Sequence, residues 1–347
     1  MEEKLSLAGL TSSEITETLG ISPAFRGKQI YEWIAKGVSD FDSMTNLDQG
    51  TRNLLKEKAC IHSSSITEIQ KDKDGTIKLQ ITLSDGCAVE TVLLTDRSGR
   101  KTACVSCQAG CAMGCAFCQT GQLGLKRNLT AGEIVEEFIF LEREAGKLDN
   151  IVFMGMGEPM QNLDAILKTV SILTDKKGRD LSSRRITLST CGIISGIRKL
   201  ADTKDSKIRL AISLTTADPD LRAQLMPVTK GNPLPELRDA ISYYIEKTGK
   251  RVTLEAALLK GRNTGTKSAE NMIQFAKGLD VYINLIPWNA VPGLPFETPG
   301  QKECNDFMVA LQAAGLNVSL RTRRGTSIAG ACGQLGRTTA AIQKQNG

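Results

Sequence analysis

The chain has 347 residues, 41% of them hydrophobic and 24% charged, the balance of an ordinary globular protein. No apolar run reaches about 18 residues, which argues against a membrane span. The start, Met-Glu-Glu-Lys, is not a basic and apolar leader, so a cytoplasmic location is expected. A formal net charge of +6 hints at a polyanionic partner.

Residues 1–60 read as short helices. Ser12-Ser13-Glu14 and Pro23-Ala24-Phe25 resemble helix starts, and Ile30, Trp33 and Ile34 share one helix face. Arg26, Lys28, Lys56 and Lys58 make this region a candidate RNA-binding cap. Residues 61–97 switch to strands around Ile66–Ile69, Ile77–Ile81 and Ala88–Leu93, separated by turns at Gly75 and Gly86, which is the pattern of a small antiparallel meander.

Residues 98–347 alternate strands with helices. Strands are expected near 102–107, 150–155, 185–190, 208–213, 251–258, 281–286 and 317–321. Helices fill the gaps, for example over 131–146, 163–174, 235–248 and 301–314. Such alternation implies parallel βαβ units. About six units make a partial (β/α)6 barrel, so the expected class is α/β with a small N-terminal helical and β-hairpin accessory domain. Sites in such sheets lie at the carboxyl ends of the strands.

Cys111-x3-Cys115-x2-Cys118 follows the first of these strands. Three thiolates leave one iron of a [4Fe–4S] cluster open, because closure takes four. An open position suits a bidentate amino acid such as the methionine end of S-adenosylmethionine (SAM). Four of Cys104, Cys107, Cys111, Cys115 and Cys118 could instead hold a zinc ion. Zinc knuckles, however, usually set two CxxC pairs farther apart, and the only histidine is His62. A two-cluster ferredoxin spaces its cysteines more evenly, and staples are unusual in a reducing compartment.

Later strand ends supply polar groups. Gly157 permits close backbone approach, and Glu158 can accept a bond from a cationic amino group. The segment Ser189-Thr190 and the segment Ser213-Leu214-Thr215 offer hydroxyl and backbone groups to a carboxylate or ribose, or simply cap helices. Asn289 could meet the same ligand or make an Asx turn before Pro292. Cys332 sits in the turn Gly330-Ala-Cys-Gly333 and can reach back over the barrel mouth. The alternative for Cys332 is a small buried hydrophobe. Basic clusters at Lys126-Arg127, Arg184-Arg185 and Arg321–Arg324 can neutralise phosphates or be solvated loop charge.

In Phe25–Ile30, Val89–Thr91, Cys104–Ser106, Gly110–Cys118, Leu125–Thr130, Met154–Pro159, Arg185–Thr190, Ile283–Asn289 and Ala331–Leu335 the chain resembles the RlmN/Cfr family of radical-SAM RNA methyltransferases. That resemblance implies a [4Fe–4S] cluster on Cys111, Cys115 and Cys118, and two SAM per turnover. It implies SAM contacts from Gly157, Glu158, Ser189, Ser213, Leu214, Thr215 and Asn289. It further implies that a first SAM methylates Cys332, and that a second is cleaved to a radical that takes a hydrogen from the S-methyl group. The resulting methylene then adds to carbon 2 of an adenine. Cys104 releases the product through a transient disulfide with Cys332, and Glu90 is the proton acceptor. The implied substrate is an adenosine of 23S rRNA, with the adenosine 3′ to the anticodon of some tRNAs as a second. The implied partner is an electron donor such as flavodoxin or ferredoxin, and a monomer is expected.

Two departures stand out. Most relatives have His where this chain has Thr215, and acidic residues common before the methylated cysteine are replaced by Ser327-Ile-Ala-Gly. Gly-Glu-Pro at 157–159 favours the branch acting at carbon 2 over the antibiotic-resistance branch acting at carbon 8. A non-catalytic iron–sulfur or zinc RNA-binding protein is the alternative of another class.

Overall fold

A computed structural model describes residues 4–203 and 208–336. The N-terminal cap holds α1 (Ser12–Leu19), α2 (Phe25–Ala35) and α3 (Gln49–Lys58), tied by the short parallel pair β1 (Leu5–Ser6) and β2 (Ala59–Cys60). Thr11 and Glu14 form a reciprocal capping box on α1, and Asp48 caps α3, so these two helix starts are satisfied locally.

Leu7, Ile15, Ile30, Met44 and Leu55 of the cap pack with Val135, Ile139 and Ile172 of the barrel helices. Beneath them the buried carboxylate of Glu136 accepts the backbone N–H groups of Ser63 and Ser64 at 2.8 and 2.9 Å. The cap is therefore built into the barrel wall. Two of its cations are also committed internally: Arg26 pairs with Asp48 and Lys56 with Asp42, each at 2.7 Å.

Deleting residues 1–60 is expected to expose this apolar seam and to remove the Ser6 hydroxyl, which donates to Glu136 at 3.0 Å, since buried charges need compensation. The truncated chain should melt well below the intact one or precipitate. Calorimetry checks this, and an unchanged melting temperature contradicts it. Contributions of the cap to RNA binding are better read from charge substitutions such as Lys28→Gln and Lys58→Gln in the full chain.

The meander β3 (Ser65–Lys71), β4 (Ile77–Thr82) and β5 (Ala88–Thr95) is antiparallel. It continues without a break into the barrel sheet, because β5 pairs antiparallel with β6 (Lys101–Cys104). From β6 the sheet is parallel through β9 (Asn150–Phe153), β10 (Ile186–Thr190), β11 (Arg209–Ser213), β12 (Val252–Leu258), β13 (Val281–Pro287) and β14 (Val318–Leu320), ten strands in all. The helices α4 (Ala131–Ala145), α5 (Leu163–Thr174), α6 (Ile194–Asp202), α7 (Pro219–Leu225), α8 (Leu234–Thr248), α9 (Thr266–Ala276) and α10 (Gln301–Ala313) connect them. The parallel strands bury almost continuous apolar runs, as a sheet covered by helices requires.

The first parallel strand is shorter than the spacing suggests. It stops at Cys104, because Val105 and Cys107 bond to the β9 segment and chain onward to a hairpin, β7 (Gln108–Cys111) with β8 (Gly124–Asn128). The cysteine loop is the connection of that hairpin. Among the described residues no helix is long and apolar enough to cross a membrane.

Candidate active site

One cavity of about 190 Å³ lies at the carboxyl ends of the parallel strands. It is lined by Cys111, Cys115 and Cys118 from the hairpin loop, Gly157 and Glu158 after β9, Ser189 and Cys191 at β10, and Ser213 and Thr215 at β11. Glu255, Asn289 and Cys332 complete it. Residues more than 200 positions apart in sequence thus converge on one space.

The cysteine loop is pinned from several sides. Ala116 N–H donates to Leu225, Trp288 Nε1 donates to the Phe117 carbonyl at 2.8 Å, and Gln119 N–H donates to Gly333 at 2.8 Å. Burial pushes the Cys111 thiol up to about 12 and raises those of Cys115 and Cys118. Each therefore holds its proton until a cationic centre displaces it.

Among the described residues no three His, Cys, Asp or Glu side chains are arranged to hold a single metal ion. A [4Fe–4S] cube is wider than one ion, and its three thiolates bind three different irons, so three cavity-facing thiols in a polar-mouthed pocket fit it. Cys104 and Cys107 are buried in the apolar core and do not line the cavity, which removes them from a shared four-thiolate set. Cys191, which no motif flagged, does line it.

Glu158 is buried, with Oε1 accepting the Met160 N–H at 3.0 Å and Oε2 the Cys191 N–H at 2.8 Å. Burial raises its proton affinity and the two N–H donors lower it; each oxygen keeps a lone pair for a cationic ligand. Gly157 has φ +104°, and a Cβ there would stand 2.6 Å from Gln108 Cβ and 2.8 Å from its backbone nitrogen. Gly157→Ala should therefore cost about 1 to 3 kcal/mol in backbone strain and displace the Glu158 turn. Calorimetric SAM binding is expected to weaken at least tenfold, and wild-type affinity contradicts this.

The hydroxyls of Ser189 and Ser213 stand 3.5 Å apart. Thr215 holds φ +61°, with its N–H donating to Glu255, so the chain turns sharply at that mouth. Asn289 Nδ2 donates to the Cys332 carbonyl at 3.1 Å, while its buried Oδ1 has no partner among the described residues. Leu214 is the exception among the expected SAM residues. Its side chain is fully buried in the core, its N–H serves Ile212 and Glu255, and its carbonyl accepts Arg222 Nε at 3.1 Å. It shapes the turn without entering the cavity.

Glu90 also lies outside the cavity. It is fully buried on β5, 3.6 Å from Lys78 Nζ, and its Oε2 accepts the Gly336 N–H at 2.9 Å. The segment carrying Cys332 is thus folded over it, with the Thr120 hydroxyl donating to Leu335 at 2.7 Å. Cys104, one strand over at the register partner of Val92, is buried beside Cys332. Burial, and then its interaction with Cys332, raise its thiol, and both cysteines are free.

Residues 105–275 match the Radical SAM superfamily model, and residues 7–61 match that of the ribosomal RNA large subunit methyltransferase N-terminal domain. The chain is 58% identical over 97% of both chains to a probable dual-specificity RNA methyltransferase RlmN of Treponema denticola. It is 41% identical to the dual-specificity RNA methyltransferase RlmN of Desulfotalea psychrophila, over 96% of this chain and 95% of that one. A crystal structure of a radical SAM methyltransferase from Sphaerobacter thermophilus superposes with a TM-score of 0.91 at 40% identity, covering 95% of this chain and 99% of the other. The chain belongs to the RlmN family of radical-SAM RNA methyltransferases, enzymes of a [4Fe–4S] cluster and SAM.

Proposed function

We propose that the chain methylates carbon 2 of an adenosine in 23S rRNA, and of the adenosine 3′ to the anticodon of some tRNAs, with Cys332 as the methyl carrier. The observation that carries this reading is the delivery of Cys332 into the cavity lined by Cys111, Cys115, Cys118 and Glu158, with Cys104 buried behind it. Carbon 2 of adenine is electron-poor, so polar methyl transfer to it is unfavourable. A carrier thiol with a second thiol behind it resolves that problem. When bound, the cluster and SAM supply the single-electron chemistry.

The protein's own groups do the rest. Cys111, Cys115 and Cys118 hold the cluster, and Glu158, Gly157, Ser189, Ser213, Thr215 and Asn289 hold SAM against it. Cys332 accepts the methyl group and then bonds the adenine through it, and Cys104 breaks that link. Glu90 takes the proton of carbon 2, which requires the segment 331–336 to lift from it. The substrate is RNA; an electron donor such as flavodoxin or ferredoxin, a cytoplasmic location and a monomeric state complete the proposal.

Mapping rRNA and tRNA methylation in cells with and without this chain tests it. Loss of a carbon-2 methyl on adenosine supports the reading, loss at carbon 8 moves the target atom, and no change in either overturns it.

A further inference from the structure

Arg222 lies on α7, fully buried behind the cavity wall. Its Nε donates to the Leu214 carbonyl at 3.1 Å and its Nη1 to the Thr229 hydroxyl at 2.6 Å. Its Nη2 donates to the Cys191 carbonyl at 2.7 Å, with the Ser213 carbonyl at 3.5 Å. No carboxylate is among these acceptors. Neutral oxygens compensate a buried cation poorly, so stability alone does not account for an arginine here. What the guanidinium supplies is a planar fork that fixes several segments at once. Leu214 and Thr229 do not line the cavity and anchor the fork, whereas Cys191 does line it. The Cys191 N–H in turn donates to Glu158 Oε2 at 2.8 Å, so this residue is held by Glu158 at its N–H and by Arg222 at its carbonyl. The next residue leaves little slack. A Cβ on Gly192, at φ +106°, would stand 3.3 Å from Arg222 Nη2 and 3.0 Å from Leu237 Cδ2. The last residue of α7, Leu225, accepts the Ala116 N–H at 2.9 Å, which ties the same helix to the cysteine loop.

We infer that Arg222 is the positioning residue for Glu158: by holding the Cys191 carbonyl it fixes the amide on which Glu158 Oε2 rests, and so sets where that carboxylate meets the cationic amino group of SAM. The inference rests on the proposed function, in which Glu158 holds SAM. With the Cys191 amide displaced, Glu158 keeps the Met160 N–H on Oε1 but loses the donor that directs Oε2. A carboxylate held by one donor can turn about its side-chain bonds, and the geometry offered to the amino group is lost.

The test uses the cluster-loaded full chain, anaerobic. Calorimetry compares binding of SAM with that of 5′-methylthioadenosine, which has the nucleoside and the sulfur but no amino-acid arm. Arg222→Lys keeps the charge but cannot span the acceptors on Leu214, Thr229 and Cys191. It should weaken SAM about tenfold or more, the size of one hydrogen bond to a charged group, and leave 5′-methylthioadenosine within about twofold. Thr229→Val removes one anchor and keeps the guanidinium, so it should show the same selective loss on a smaller scale. In the double variant with Glu158→Gln the two losses should not add, because Arg222 acts through that carboxylate. Equal weakening of both ligands, additive losses or unchanged SAM affinity each overturn the inference. If Arg222→Lys does not fold, the comparison of the two ligands in Thr229→Val decides alone. Glu158→Gln by itself tests the proposed function. Weaker SAM binding there, with wild-type binding in Arg222→Lys, sinks only the role of Arg222, whereas wild-type binding there sinks the reading of Glu158 itself.

Discussion

Cys104→Ala is expected to leave the protein covalently joined to its RNA. After addition to adenine, the new carbon is still bonded to the Cys332 sulfur, so product leaves only when that bond breaks. A thiolate attacking the sulfur breaks it and forms a disulfide. Cys104 is the thiol placed for the attack: it is buried at the end of β6, and Cys332 is among the groups acting on it. Cys107 is buried as well, but the groups acting on it are Glu158, Cys111 and Glu137, not Cys332. The variant should methylate Cys332 and cleave SAM, then stop after a single addition. Denaturing gels with labelled RNA should show a retarded, nuclease-sensitive band that wild type and Cys107→Ala lack. Multiple turnovers by Cys104→Ala, or the adduct in Cys107→Ala instead, overturn the assignment.

The alternation of strands and helices after residue 100 was legible because buried parallel strands are short apolar runs and the helices between them are amphipathic. Leu163–Thr174 was placed with both ends correct. The cysteine spacing was equally legible, since local sequence alone carries it.

What could not be read depends on side-chain direction and on long-range register. Leu214 lies between two cavity residues, and only the positive φ of Thr215 and the burial of Leu214 reveal that it turns away. Glu255 carries no motif, because its place beside Asn284 exists only through the pairing of β12 and β13. Arg222 was missed for the same reason. It is fully buried, and its guanidinium reaches the Thr229 hydroxyl at 2.6 Å and the Cys191 carbonyl at 2.7 Å, three segments that sequence cannot bring together. Nor does sequence show the meander joining the barrel sheet, although that junction sets Glu90 one strand from Cys104.

Single replacement of Cys111, Cys115 or Cys118 by Ala should abolish iron and sulfide binding and, with it, methylation. Each thiol faces the cavity, and each is held protonated by burial in the free chain. Loading the cluster must therefore displace three protons, a cost met only when all three thiolate–iron bonds form together. Removing one leaves two ligands on a loop that Trp288 and Gln119 fix in place, so the loop has little freedom to recruit another. Cys191 lines the same cavity, as Cys332 does, but its N–H is tied to Glu158 at 2.8 Å. Cys191→Ala is accordingly expected to keep its iron, where the three loop variants lose theirs. Anaerobic purification, iron and sulfide assay and the visible absorption that bleaches on reduction read all four proteins. Stoichiometric zinc without iron in the wild type, or loss of iron in Cys191→Ala, would overturn the three-thiolate site.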